Sequence, residues 1–144
     1  MLNFSLKNSK NIITTSYDCD DPVIIEINCI SRKKIPGLYG YLGVLNRDGQ
    51  TIWASDSMDV QPNSLDALPI GHHLITITIP PRSLAHGEYV LSLGFASSQA
   101  TNGVHVDMPM EVASFRLQDL TSLRGDLRLG YFSTLLPWQT EKKQ

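Results

Sequence analysis

Apolar and polar residues alternate with a period of two in short runs along this chain, and no stretch repeats with the 3.6-residue period of a helix. The clearest pair of runs lies within residues 38–57, LYGYLGVLNRDGQTIWASDS, which predicts two strands joined by a tight turn. Asn46, Arg47, Asp48 and Gly49 carry the turn chemistry. Asn and Asp side chains bond nearby backbone, and Gly49 accepts a positive φ without a Cβ clash. With Leu42 and Val44 facing a core, strand parity sends Tyr39, Tyr41 and Gly43 to the opposite face.

The rest of the chain follows the same pattern. Residues 1–16 are polar and weakly patterned, and they are expected to form an N-terminal arm or linker before a single domain at 17–141 and a short tail at 142–144. Val23, Ile25, Ile27 and Cys29 share one side of a strand, which a charged loop closed by Pro36-Gly37 separates from the hairpin. Residues 58–70 contain Pro62 and Pro69, so they form a crossover with room for one helical turn. Ile75, Ile77 and Ile79 then alternate with Thr76 and Thr78 in a strand stopped by Pro80-Pro81. In the next strand Tyr89, Leu91, Leu93 and Phe95 share a face, opposite the smaller Val90, Ser92, Gly94 and Ala96. Residues 97–103 read as a polar loop. Residues 104–110 read as an edge strand because of Pro109, 113–117 as a continuing strand, 120–130 as a loop and 131–138 as a last strand.

Seven or eight short strands separated by turn residues predict an all-β, immunoglobulin-like antiparallel β-sandwich, with a jelly-roll barrel as the alternative. At 144 residues the chain is long enough to bury roughly two-thirds of its unfolded surface as one domain.

Composition narrows the function classes. The net charge of −2 and the absence of a basic run argue against nucleic acid as a partner. Cys19 and Cys29 are not spaced with histidine as a zinc site requires, and Cys29 reads as a small buried hydrophobe in a reducing compartment. No apolar run approaches the roughly 18 residues of a membrane span, and the N-terminus lacks a signal-peptide core, so the Asn3-Phe4-Ser5 sequon is set aside. There is no phosphate loop, no G-x-G-x-x-G, no G-x-S-x-G and no H-E-x-x-H. The four histidines sit beside strand ends or turns, and no acid and base pair is clustered. The chain therefore reads as a non-enzyme without cofactor or metal. Asp18, Asp20 and Asp21 could supply oxygen ligands to calcium but fit an Asx-rich turn better, and Arg124-Gly125-Asp126 needs no adhesive role.

The outward tyrosines are the functional candidates. If the strand holding Leu42 pairs with the one holding Leu93, Tyr39 and Tyr41 rise beside Ser92, Gly94 and Ala96 in a shallow trough. A pyranose packs its C–H face on aromatic rings while its hydroxyls bond polar groups at the rim. The expected carbohydrate-binding set is Tyr39, Tyr41, Trp53, Ser92, His105 and Asp107. The phase of Trp53 is left open, because Ile52 competes for the core position.

Asp48-Gly49, Gly71-His72, Leu84-x-x-Gly87-x-Tyr89, Phe115-Arg116-Leu117, Arg124-Gly125-Asp126 and the closing Leu136-Pro137-Trp138-Gln139-Thr140-Glu141 occur in that order. Together they resemble the C-terminal domain of polysaccharide ABC-transporter ATPase subunits of the O-antigen export type. The resemblance implies an immunoglobulin-like sandwich that follows a nucleotide-binding domain and works with a transmembrane permease subunit at the cytoplasmic face of the bacterial inner membrane. It implies recognition of the modified non-reducing end of an O-antigen polysaccharide, and a homodimer that exchanges its C-terminal strand, here within residues 127–138. The family's motifs are turn and core positions, so no sugar-contacting residue transfers from it. The alternative is a structural dimerisation domain that touches no sugar.

Overall fold

The computed structural model describes residues 3–99 and 105–143, with the backbone alone for 105–109. The described residues form eight strands: β1 (Asn3–Lys7), β2 (Ser16–Asp18), β3 (Val23–Ser31), β4 (Leu38–Leu45), β5 (Thr51–Asp56), β6 (Gly71–Ile79), β7 (Gly87–Ser97) and β8 (His105–Gln118). They build two sheets, of order β1-β3-β6 and β2-β8-β7-β4-β5. The fold is the expected all-β sandwich. One pairing departs from the antiparallel rule, since β2 lies parallel to the last three residues of β8.

Alternation decides which residues form the core. Ile25, Ile27 and Val23 from β3 meet Leu42 and Val44 from β4 and Tyr89, Leu91, Leu93 and Phe95 from β7, all buried. Ile25, Ile27 and Leu91 are fully buried, each stabilising the fold by about 1.5–3 kcal/mol relative to exposure. Phe115 stacks on Tyr89 with ring centroids 5.5 Å apart and meets Tyr17 edge-on at 6.2 Å. In β6 the threonines are exposed while Ile75 and Ile77 pack inward.

The hairpin turn closes as its sequence predicts. Asn46 Oδ1 accepts from the backbone N–H of Asp48 at 3.0 Å and of Gln50 at 2.9 Å, and Gly49 adopts φ +78°. The crossover from β5 to β6 holds one 3-10 turn, Ser57–Asp59, and folds back on β4. Asn63 Nδ2 donates to the Leu38 carbonyl at 2.9 Å, and Asp66 accepts from the Gly37 N–H at 2.7 Å.

Three expectations need correcting. Within the expected arm or linker at 1–16, the described residues 3–16 are not a free lead-in, because β1 pairs with β3 over five residues and buries Leu6. Its polar residues face solvent at a sheet edge, which weakens the sequence pattern. Residues 131–138 form no strand: a strand needs a ladder partner, and this segment finds none along its own chain's described sheets. Cys29 is only partly buried at the open end of β3, whereas Cys19 sits in the core, where burial pushes its thiol up to about 11. The polar loop expected at 97–103 lies mostly outside the described residues.

A single arginine ties the layers together. Arg82, in the loop from β6 to β7, donates from Nη1 and Nη2 to the two oxygens of Asp119 at 2.8 and 3.0 Å. Its Nη2 also reaches Thr121 Oγ1, and its Nε lies 3.4 Å from Asp20 Oδ1. The Arg82 backbone is a second tether: its N–H donates to the Cys19 carbonyl at 2.7 Å, and its carbonyl accepts from Thr134 Oγ1 at 2.8 Å. Asp119 follows β8 and is buried, and it also accepts from Ser122 Oγ at 2.6 Å. The aspartates around it serve as caps. Asp18 accepts from Leu120 N–H and Thr121 Oγ1, and Asp126 accepts from Asp119 N–H at 2.7 Å, so Asp126 of the Arg-Gly-Asp triplet closes a local turn.

The Arg82 guanidinium holds the Asp119 carboxyl well below the usual carboxylate range, outweighing the opposing effect of burial. A carboxylate whose folded pKa is depressed stabilises the fold above its unfolded pKa, near 3.8, and that contribution is lost as pH falls through the folded value. The melting temperature is therefore expected to fall steeply with acid below about pH 4. Asp119→Asn should cost roughly 3–5 kcal/mol at pH 7 by breaking the buried bidentate pair and leaving Arg82 only its 3.4 Å contact with the exposed Asp20, and should flatten the acid limb of the curve. Thermal melts of both proteins from pH 7 to 2 check this; an unchanged acid limb in the variant contradicts it.

Candidate functional site

The outer face of the five-stranded sheet is set by the pairing of β4 with β7. Tyr39 lies opposite Ala96, Tyr41 opposite Gly94 and Gly43 opposite Ser92. This is the juxtaposition that strand parity predicts. The missing Cβ at Gly94 is what lets the aromatic ring lie down. A Cβ built there would stand 2.6 Å from both Tyr41 Cζ and the Tyr41 hydroxyl, so the ring covers β7 as only glycine allows. Tyr39 stands beside it with ring centroids 6.0 Å apart and planes inclined by 42°. Both rings are partly exposed, and burial, followed by the neighbouring Tyr39, raises the Tyr41 phenol.

Beside Tyr41 the surface opens into a hollow of about 380 Å³, between β4, β5 and the 3-10 turn, reaching Ser92. Asp56 and Asp59 line it with Thr51, Ala54 and Ser55. Asp56 is directly opposite Tyr41 across the hairpin and caps the turn by accepting from Met58 N–H at 2.8 Å. Ser55 Oγ donates to Asp59 Oδ2 at 2.5 Å. A second opening of about 340 Å³ runs between the sheets, lined by Ile27, Ile77 and Phe95 among others, and shares Tyr41, Asp56 and Asp59 with the first. Aromatic faces, hydroxyls and carboxylates in a hollow of this size can seat a small polar molecule with one apolar side.

The structure brings Tyr39, Tyr41 and Ser92 to one face. It places Trp53 elsewhere: a bulge between Val44 and Leu45 pairs Trp53 with Val44, on the inward side of β5, where Trp53 is 36% exposed at the sheet edge. Ile52 also packs against the core. His105 and Asp107 lie opposite Ala96 and Phe95 along the β8 backbone, and their side chains are outside the described residues. Sequence reasoning missed Asp56 and Asp59. A hairpin counted without a bulge pairs Tyr41 with Ser55, and the one-residue shift brings Asp56 there instead. No group of three or more metal-ligating side chains is clustered among the described residues.

No helix among the described residues is long and apolar enough to cross a membrane. No curated protein matches the chain in sequence. Among solved structures, the chain is similar to one titled "Crystal structure of the C-terminal domain of wzt". The two share 10% identity and a TM-score of 0.74, over 98% of this chain and 83% of that one, a likeness of fold. The family model described as "Wzt C-terminal domain" matches residues 1–127, from β1 through the 3-10 turn Gly125–Leu127. That match takes in both sheets and the segment carrying Asp119, and by it the chain belongs to the Wzt C-terminal domain family.

Proposed function

We propose that this domain is a non-catalytic carbohydrate-recognition module that binds the modified non-reducing end of an O-antigen polysaccharide and so couples chain completion to export. The observation that carries the reading is the Tyr41 ring laid over Gly94 beside a hollow that reaches Ser92. Stacking on Tyr39 and Tyr41 takes the apolar face of a sugar. Hydroxyls at its edge find Ser92, Ser55 and the carboxylates. Family membership supports the setting: a nucleotide-binding domain and a permease subunit as partners, at the cytoplasmic face of the inner membrane.

A structural role in dimerisation has its own support. Leu127, Leu129, Leu136 and Trp138 are 71–93% exposed, a run of apolar side chains that association would bury. The same segment is anchored to its own chain by Arg128, whose Nη2 donates to Ser122 Oγ at 3.4 Å, and around residues 131–134, where Ser133 is fully buried, the Tyr131 carbonyl accepts from Ala85 N–H at 2.8 Å, and Thr134 holds Arg82. The open sheet edges then offer a ladder to the same segment of a second copy. Under this second reading the domain pairs two ATPase subunits and its outer face is inert.

Two measurements separate the readings. Calorimetry with capped O-antigen fragments should give saturable binding that Tyr41→Ala weakens about five- to thirtyfold, from the loss of one stacking face worth about 1–2 kcal/mol. Tyr39→Ala should act in the same direction. Gly94→Ala, which forces the Tyr41 ring aside, should weaken binding while the melting temperature shows the fold intact. Absence of binding to any capped fragment at millimolar concentration rejects carbohydrate recognition, and unchanged affinity in both tyrosine variants moves the site elsewhere. Separately, removing the residues after Leu127 should abolish the dimer in solution-mass measurements. A dimer that survives at full affinity rejects association through this segment.

A further inference from the structure

We infer that the hollow beside Tyr41 selects a sugar residue that is uncharged or bears an amino group, and discriminates against phosphorylated and uronic sugars. The inference rests on the carbohydrate reading above and adds the substrate's charge class to it.

Its basis is the distribution of charge around the hollow. Asp56 and Asp59 are the only charged residues lining it among the described residues. Asp56 stands across from Tyr41, and Asp59 is held at the rim through Ser55. On the β8 side, Glu111 is the residue opposite Ser92. Cations are missing from the chain segments that build this face. Residues 48–81 hold four aspartates and no lysine or arginine, and residues 83–115 hold Glu88, Asp107 and Glu111, again with no lysine or arginine. Strand β4 carries no charged residue at all. The nearest cation in sequence is Arg47, at the hairpin turn beyond Leu45, where its Nε lies 3.3 Å from Glu88 Oε2.

An anionic group seated against Tyr41 would thus meet two carboxylates and no counter-charge from the lining. Hydroxyls and ammonium groups donate hydrogen bonds, and a carboxylate rim accepts them. At partly solvated sites such as this, repulsion from two nearby carboxylates amounts to roughly a tenfold loss of affinity, fading as salt screens it. The aromatic floor carries no net charge and its faces favour a cation only modestly, so most of the discrimination should fall on the two aspartates.

The test uses the whole chain and four probes: the methyl glycosides of a neutral hexose, its 2-amino-2-deoxy analogue, its 6-phosphate and its uronic acid, titrated by NMR at low salt. The expected result is binding of the first two at least about tenfold tighter than the last two, with the gap shrinking as salt is raised. Asp56→Asn with Asp59→Asn should close most of the gap, read as the ratio of neutral to anionic affinity, while asparagine retains an oxygen to accept from Met58 N–H and Ser55 Oγ and so keeps the rim in place. Anionic sugars bound as tightly as the neutral one, or a gap that persists in the double variant, overturn the charge selection alone. Failure of all four probes together with the capped fragments overturns carbohydrate recognition, and charge selection with it.

Discussion

The bidentate pair between Arg82 and Asp119 is the constraint on which this sandwich depends. A two-sheet fold needs something besides apolar burial to fix how its connections lie at the ends, and here four segments meet at one residue, Arg82, through its guanidinium and its backbone. The β2–β3 turn arrives through Asp20 and the Cys19 carbonyl, and the β6–β7 loop supplies Arg82. The chain leaving β8 brings Asp119 and Thr121, and the C-terminal segment brings Thr134. Because Asp119 is buried, losing either partner leaves the other only a longer contact, Asp20 at 3.4 Å for Arg82 and Arg128 at 3.8 Å for Asp119, so the pair specifies one arrangement of these segments. Arg82 adopts φ +60° there, a backbone conformation held by hydrogen bonds on both its N–H and its carbonyl.

With that end fixed, the opposite face is free to vary in chemistry without disturbing the core. Leu42 and Val44 point inward with Leu91 and Leu93, and the residues between them point outward, away from the core. Tyr39 and Tyr41 occupy those outward positions against the smallest side chains of β7. The same alternation that makes the sheet amphipathic thus produces an aromatic platform next to a hollow. Its edge is formed by the crossover, whose Ser57 Oγ accepts from the Gly40 N–H at 3.1 Å and keeps the 3-10 turn against β4.

What was legible in the sequence follows from which physics is local. Strand parity is local, so the faces of β3, β4, β6 and β7 and the Asn46–Gly49 turn could be read directly, and so could the meeting of Tyr41 with Gly94 once β4 and β7 were paired. The bulge at Val44/Leu45 was not legible, because it depends on how the hairpin seats against the core, and it displaced Trp53 from the tyrosine face while bringing Asp56 to it. Strand β1 escaped notice because an edge strand buries few residues, here chiefly Leu6 with Phe4 packed against the core. The Arg82 cluster was invisible for a different reason: its partners lie 37 or more residues from Arg82, and each looks like an ordinary surface charge or turn residue.

On this reading the tyrosine face is where a glycan end is held. The most direct measurement is a chemical-shift titration of the isotopically labelled chain with a fragment bearing the modified non-reducing end, read at each backbone amide. The account predicts saturable shifts centred on Tyr39, Tyr41, Asp56 and Ser92, with β1, β3 and β6 unperturbed. Saturable shifts confined to the three-stranded sheet, with the Tyr41 and Ser92 amides unmoved, would contradict it.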